Sequence, residues 1–577
     1  MSIASLYPSI NPSLLLDFAN VKRLDPRITF TRTTTATYYD GVTAAKAEEN
    51  LLLQSQTFDN AAWSKTSGSV TANADNAPDG TSTADLFTPS ASDARVQQSF
   101  FPTGAVQCTC SVWLRSATGS SFSTDLLFWR VSPFSSIATT TITVTTTWQR
   151  FTLTATALDA TAHAFVIGGG GSLTTGENVY MWGAQAEIRS SVTAYTATTS
   201  QAITNYIPVL QTAIAGQARF DHNPTTGESL GLLIEEARTN LATYSADFNN
   251  AVWSVVRSSI TNNTIVAPDG TLTGDKLVEN TDATTTHYIY HGSSLTSATY
   301  TASVFVKASE RYRFELRVGT QVQGIARFNL SDQTYSNVTA GFTASITAVG
   351  NGWYRCSLTG TATTTGGAAW AITILLLNAA GSDSYTGDGF SGLFLWGAQI
   401  EAGSFATSYI PTVASTVTRN ADAASMTGTN FSSWFGGGNI SSYVEAAFKG
   451  YVPNQGSIAA QLSDGSTANN IDIYWYNGTP TYYVTAAGAI QVNLPTSVVA
   501  ANVYTKFSTA NAFNDSAVSF NGAAIQTDSS CILPTGLNKL NIGNTQNYGI
   551  QYLSGWIKKI AFYPQRLTNT NLVALTT

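Results

Sequence analysis

Few residues in this chain could carry covalent chemistry. Its 577 residues include only four histidines, His163, His222, His287 and His291, and the GxSxG turn that presents a serine nucleophile is absent. His287 and His291 can share a strand face because their spacing is even, but no neighbouring carboxylate completes a metal set. Sandwich-fold glycosidases hold an acid and a nucleophile on one strand about 5 Å apart. No ExDxE run occurs here, and the adjacent Glu235 and Glu236 point to opposite faces of any strand. The residues therefore favour recognition over catalysis.

Recognition of a sugar needs flat rings to stack on pyranose faces and a few amides or carboxylates for the hydroxyls. Material is plentiful, with 12 Trp and 25 Tyr. Trp129 and Trp370 fall in variable runs without counterparts elsewhere in the chain and are candidate binding residues. A second group lies in IDIYWYNGTPTYYV, from Ile471. If Ile471, Ile473 and Trp475 face inward, alternation turns Asp472, Tyr474 and Tyr476 outward. Pro480 has no N–H for a ladder, so NGTP is predicted to form a four-residue loop that brings Tyr483 opposite Tyr474. Asp472, Tyr474, Tyr476 and Tyr483 would then form a platform of rings beside a carboxylate. Calcium is a candidate ligand for Asp79, Asp269, Asp383 and Asp388 in turn-rich segments, although PDG is equally a plain turn signature. No other cofactor is expected.

The composition indicates which elements must position these side chains. Charged residues make up 11% of the chain, against about 25% in average soluble proteins, and Thr, Ser, Asn and Gly take their place. Long solvated helices need Lys, Glu and Arg, whereas Thr-rich surfaces suit strands. An all-β, multi-domain chain is expected, with negligible helix. The balance of 28 basic to 35 acidic residues contains no basic run to follow a phosphate backbone, so nucleic-acid binding is not expected. The longest apolar run, Ala368 to Leu377, is interrupted by Thr373 and falls short of the roughly 18 residues that span a bilayer. MSIASLYPSINPS has no basic start, so a soluble product made in the cytoplasm is expected. Cys108, Cys110, Cys356 and Cys531 are too few for a disulfide framework and read as buried small residues.

The chain repeats itself. NLLLQSQTFDNAAWSK from Asn50 matches NLATYSADFNNAVWSV from Asn240, and APDG recurs at Ala77 and Ala267 at the same offset of 190. YMWGAQAE from Tyr180 matches FLWGAQIE from Phe394 at an offset of 214, so the second copy carries insertions. Trp63, Trp148 and Trp182 recur as Trp253, Trp353 and Trp396, and rings retained between diverged copies are expected in the core. Each copy reads as a jelly-roll sandwich of short alternating strands.

Residues outside the repeats carry a resemblance. LDF at Leu16, LDPRITFTRTTTATY from Leu24, RFDHNPTTGESLGLLIEEARTNL from Arg219, and a module closing WGAQIEAGSFATSYIPT from Trp396 together resemble a large family of tailed-bacteriophage virion proteins of tail, fibre or head-decoration type. The two repeats resemble that family's carbohydrate-binding-module-like jelly rolls. The C-terminal block resembles concanavalin A-like (laminin G-like) sandwiches. The chain departs from the family pattern where the first repeat separates ATY from RFD, and where SYIPT becomes AYTAT at Ala194.

The expected organisation is an attachment segment at 1–49, completed by 205–239 as one discontinuous unit, with modules at 50–204 and 240–420 and a third sandwich at 421–577. The resemblance implies a non-enzymatic structural protein of the virion that is assembled in the host cytoplasm. It would contact capsid, portal or tail proteins and, through its modules, host-surface glycans, and would form homotrimers without membrane insertion. A polysaccharide depolymerase and a purely architectural stabiliser are the alternatives.

Overall fold

The computed structural model describes residues 11–319, 324–361, 369–545 and 551–577. Among them the chain is all-β and multi-domain, with six large sheets paired into three sandwiches. Among the described residues the one helix longer than a single turn is Asn569–Thr576. Thr568 caps it by accepting from the Asn571 amide at 3.3 Å, and Leu572 and Leu575 pack against Tyr443, Tyr563 and Leu567.

The C-terminal sandwich draws strands from three separate parts of the sequence. One of its sheets runs Arg219–His222, Ser229–Ile234, Gly555–Tyr563, Ile440–Phe448, Thr505–Ala512, Asp515–Phe520 and Gln526–Asp528, with Leu14–Asp17 also on the Gly555–Tyr563 strand. The other begins with Thr29–Thr31 beside Ala423–Thr427 and ends at Ala489–Pro495. Leu14 and Leu16 point inward on alternate positions and share one core with Leu232, Ile234, Val444, Trp475 and Ile560. Residues 1–49 and 205–239, expected as a unit of their own, thus give strands to the sandwich placed at 421–577. The physical reason is edge pairing: Gly555–Tyr563 has an open edge that those segments cover.

Both repeats are insertions into this sandwich. A long two-stranded ribbon, Ala36–Asn50 with Ile203–Ala213, carries the first, and a short one, Arg238–Asn240 with Val417–Arg419, carries the second. The two modules share a strand order. In the first, one sheet runs Ser135–Val144, Phe122–Arg130, His163–Gly168, Arg95–Phe100, Ser64–Thr66. The second module has Gly324–Asn329, Arg313–Val318, Ala369–Leu377, Tyr288–Ser294 and Trp253–Val256 at the same places. The second module adds Thr334–Ser336 and Thr343–Gly350 at its sheet edges, which accounts for the rise of the offset to 205 at Trp148 and Trp353.

Buried polar contacts recur as well. Asn50 Nδ2 donates to the carbonyls of Ala184 and Thr196, and Asn240 Nδ2 to those of Ala398 and Ile410. Tyr195 meets Ser55 at 2.6 Å, as Tyr409 meets Ser245, so AYTAT closes its module as SYIPT does. Of the six recurring tryptophans, Trp63, Trp182, Trp253, Trp353 and Trp396 are buried, whereas Trp148 is half-buried. The long ribbon explains the difference: its Ala47, Ile207 and Leu210 pack with Trp353 in one cluster, while Trp148 lies under the Arg115 guanidinium at 5.2 Å.

Candidate functional site

The hairpin expected to bear a platform keeps its alternation and changes its turn. Ile471, Ile473 and Trp475 are buried in the sandwich core, Tyr474 is half-buried, and Tyr476 is 45% exposed. The turn has two residues, Asn477 and Gly478, with φ of 50° and 78°, as a type I′ turn requires. Pro480 pairs with Trp475, one step beyond the hydrogen-bonded pair next to the turn, where its nitrogen owes no bond to that partner. The predicted four-residue loop is therefore corrected, and so is its register. Tyr483 stands opposite Asp472, and Tyr474 opposite Thr481. Tyr474 and Tyr483 meet diagonally and edge-on, with ring centroids 6.2 Å apart.

Asp472 does not border this patch as an open acceptor. It is buried, and its Oδ1 accepts from Gln461 Nε2 at 2.8 Å, within a network reaching Asn541 and Thr545. Burial pushes its carboxyl up to about 7, against the lowering effect of the Gln461 bond. A carboxyl raised in the folded state makes stability highest below its ordinary value of 3.8 and progressively lower up to about pH 7. Asp472→Asn should therefore stabilise the protein at pH 8 by about 1 kcal/mol or more, and by less at pH 4. Urea melts at the two pH values check this, and equal shifts would contradict it.

Trp129 lies half-buried on the outer face of its sheet, edge-on to the 68% exposed Phe134 and 6.0 Å from the Arg95 guanidinium. The backbone of Trp370 pairs with Ser293, and its side chain lies outside the described residues. The calcium candidates have other work. Asp79 and Asp269 accept from Thr81 and Thr271 within their turns, Asp383 pairs with Arg317, and Asp388 bonds Ser391. His287 and His291 face different partners, the Arg257 carbonyl and Thr243. Among the described residues no group of three or more His, Cys, Asp or Glu could hold a metal ion.

A better-furnished site lies where the long ribbon, the second module and the C-terminal sandwich meet. It is a cleft of about 550 Å³. The RFD segment supplies Asp221, whose Oδ1 accepts the Tyr39 amide at 2.9 Å and whose Oδ2 accepts Trp556 Nε1 at 2.8 Å. This pair fixes the indole as one wall. Lys449 Nζ stands 4.8 Å from that ring, and Tyr504 is pinned by its hydroxyl to the Leu230 carbonyl at 2.5 Å. The opposite wall is the added strand Thr343–Gly350, whose alternation exposes Thr343, Ser345 and Thr347. Three residues that line the cleft, Tyr39, His222 and Arg355, each hold a buried polar atom without a hydrogen-bond partner, Oη, Nε2 and Nε respectively. Tyr39 Oη and Arg355 Nε are unspent donors, and His222 Nε2 is an unspent acceptor because its Nδ1 donates to the Tyr39 and Phe220 carbonyls. Such groups beside aromatic faces suit a polyhydroxylated ligand.

A second cleft, about 810 Å³, separates the two modules and holds Trp113 edge-on to Phe390. Its charges are largely spent on each other, as Lys307 pairs with Glu48 and Lys276 with Glu310. Sequence reasoning missed the first cleft. RFD and GWIKK are visible as segments, but nothing in their spacing brings Asp221 to Trp556 across 335 residues.

No family model matches the chain, and no curated protein matches it. Among solved structures it is similar to the Ruminococcus gnavus IT-sialidase CBM40 bound to α2,3-sialyllactose, at 16% identity over 24% of this chain and 83% of that one, with a TM-score of 0.21. Mouse laminin alpha1 domains LG4-5 match at 7% identity over 48% of this chain and 86% of that one, with a TM-score of 0.17. Trypanosoma rangeli sialidase in complex with the inhibitor DANA matches at 8% identity over 92% and 98%, with a TM-score of 0.21. These neighbours are carbohydrate-binding, laminin G and sialidase structures, and at such scores the likeness carries nothing about ligand or activity.

Proposed function

We propose that this protein is a structural component of a tailed-phage particle, a fibre or decoration, that attaches to host-surface glycans through its β-sandwiches. The observation that carries glycan binding is the three-sided cleft, where Trp556 and Tyr504 stand beside Asp221, His222 and Arg355. Its lining contains one carboxylate, Asp221, whereas the usual hydrolysis of a glycosidic bond uses two, so binding without cleavage is the favoured reading over a depolymerase. The virion assignment rests on the sequence resemblance carried by LDPRITFTR, RFD, GLLIEE and SYIPT. The protein acts as a homotrimer bound to other virion proteins, and many weak sites on one particle add up through effective concentration.

A glycan array probed with the full-length protein tests the binding half. Retention of a defined set of glycans, without release of shorter products, is expected. No retention on any glycan would remove this reading and leave an architectural role. Mass spectrometry of purified particles tests the virion half, and absence of the chain from them would refute it.

A further inference from the structure

The segments that carry the resemblance converge on one buried charge cluster behind the cleft, which shares Lys449 with it. Arg219 Nη1 donates to Glu235 Oε2 at 2.8 Å and its Nη2 to Asp422 Oδ2 at 2.5 Å. Arg32 Nη1 donates to Asp422 Oδ1 at 2.9 Å, and Lys449 Nζ to Glu235 Oε1 at 2.8 Å. Arg419 Nη2 stands 3.6 Å from Glu235 Oε2. Four cations, Arg32, Arg219, Arg419 and Lys449, thus face two carboxylates, Glu235 and Asp422. The neighbouring Glu236 is already paired with Arg238. Side chains of Arg32, Arg219, Glu235 and Asp422 have no solvent exposure, and Arg419 has 1%. An excess of positive charge in such a setting is costly unless something neutralises it.

Arg419 is the cation least provided for. Arg32 spends its remaining donors on the carbonyls of Thr34, Ile214 and Gln217. Arg419 gives one bond, from Nη2 to the Glu236 carbonyl at 2.7 Å, and its Nε and Nη1 are buried without a partner. It lines a separate cavity of about 260 Å³ between the base of the long ribbon, the SYIPT segment and the short ribbon. The hydroxyl-bearing Thr34, Thr35, Thr212 and Thr418 line it too, and no carboxylate does. The cavity, the unspent guanidinium and the charge excess are independent observations that point the same way.

We propose that this cavity binds one small oxyanion, inorganic phosphate or sulfate, held by Arg419 and the threonine hydroxyls. The anion offsets the surplus charge and ties both inserted modules to the C-terminal sandwich, since its ligands come from both ribbons and from the segment before Ala36. Charge-assisted hydrogen bonds of this type are the stronger ones.

Equilibrium dialysis of the full-length protein against radiolabelled phosphate, at ionic strength held constant with sodium chloride, tests the proposal. One equivalent bound per chain is expected, with sulfate competing. Arg419→Gln should weaken phosphate binding at least about tenfold. Thr212→Glu, at an exposed position on the cavity wall, supplies a carboxylate of the protein's own and should abolish phosphate binding while circular dichroism stays unchanged. Should Arg419→Gln fail to fold, Thr212→Glu decides alone. No phosphate retained by the wild type, as for a cavity holding only water, or undiminished binding in Thr212→Glu, would overturn the proposal.

Discussion

Asp422→Ala should lower the unfolding free energy by about 3–5 kcal/mol, the usual cost of leaving a buried charge without its partner. Asp422 accepts from Arg32, from Arg219 and from the Glu235 amide, the last at 2.9 Å, and its side chain is fully buried. Without it the cluster would hold four cations against Glu235 alone. The loss should appear in urea melts as an earlier transition of the C-terminal sandwich, which contains both Arg32 and Asp422 neighbours on Thr29–Thr31 and Ala423–Thr427. A midpoint equal to wild type would show that the cluster contributes nothing to stability. The same cluster sets an acid limit. Burial alone would raise the Glu235 carboxyl, but Lys449, Arg419 and Arg219 hold it well below its ordinary value of 4.5. A lowered carboxylate contributes stability that is fully present above that ordinary value and lost only as pH falls through the depressed one. Unfolding by acid through this group should therefore begin below pH 4.5.

Trp556→Ala should weaken binding of the glycan ten- to a hundredfold, about 1.5–3 kcal/mol for a ring at the centre of a recognition surface. The indole is half-buried, and its one donor is spent on Asp221, so its face is what remains for a ligand. Trp556→Phe keeps a ring and should retain more affinity than alanine. The double variant Tyr474→Ala with Tyr483→Ala serves as the comparison. Those rings touch edge to face and are half-covered, so a smaller loss is expected. Surface plasmon resonance on a glycan retained by the array measures both. An unchanged affinity in Trp556→Ala, with binding abolished in the tyrosine pair, would move the site from the cleft to the hairpin.

Much of the fold was legible in the chain. Low charge with abundant threonine identifies strands, because the pattern reflects the solvent faces directly, and the recurrence of Asn50 as Asn240 marks two modules of one strand order. The inward set Ile471, Ile473 and Trp475 followed from alternation. The NGTP loop was misread because a proline was judged without knowing whether its ladder position was hydrogen-bonded. Asp472 was misread as open because alternation gives a face, and only the segment around Asn541 and Thr545 shows that this face is covered.

By itself the sequence determined the all-β class, the duplication and the segments that carry the family resemblance, since each is written in local periodicity or in matched words. Only the tertiary structure decided that Leu14–Asp17 and Ser229–Ile234 complete a sandwich made mainly of residues beyond 420, and that Asp221 meets Trp556. It also decided that Arg32, Arg219, Glu235 and Asp422 share one buried cluster. Pairing along an open strand edge and burial of charge depend on which segments meet, and segments hundreds of residues apart leave no periodic trace of that meeting in the chain.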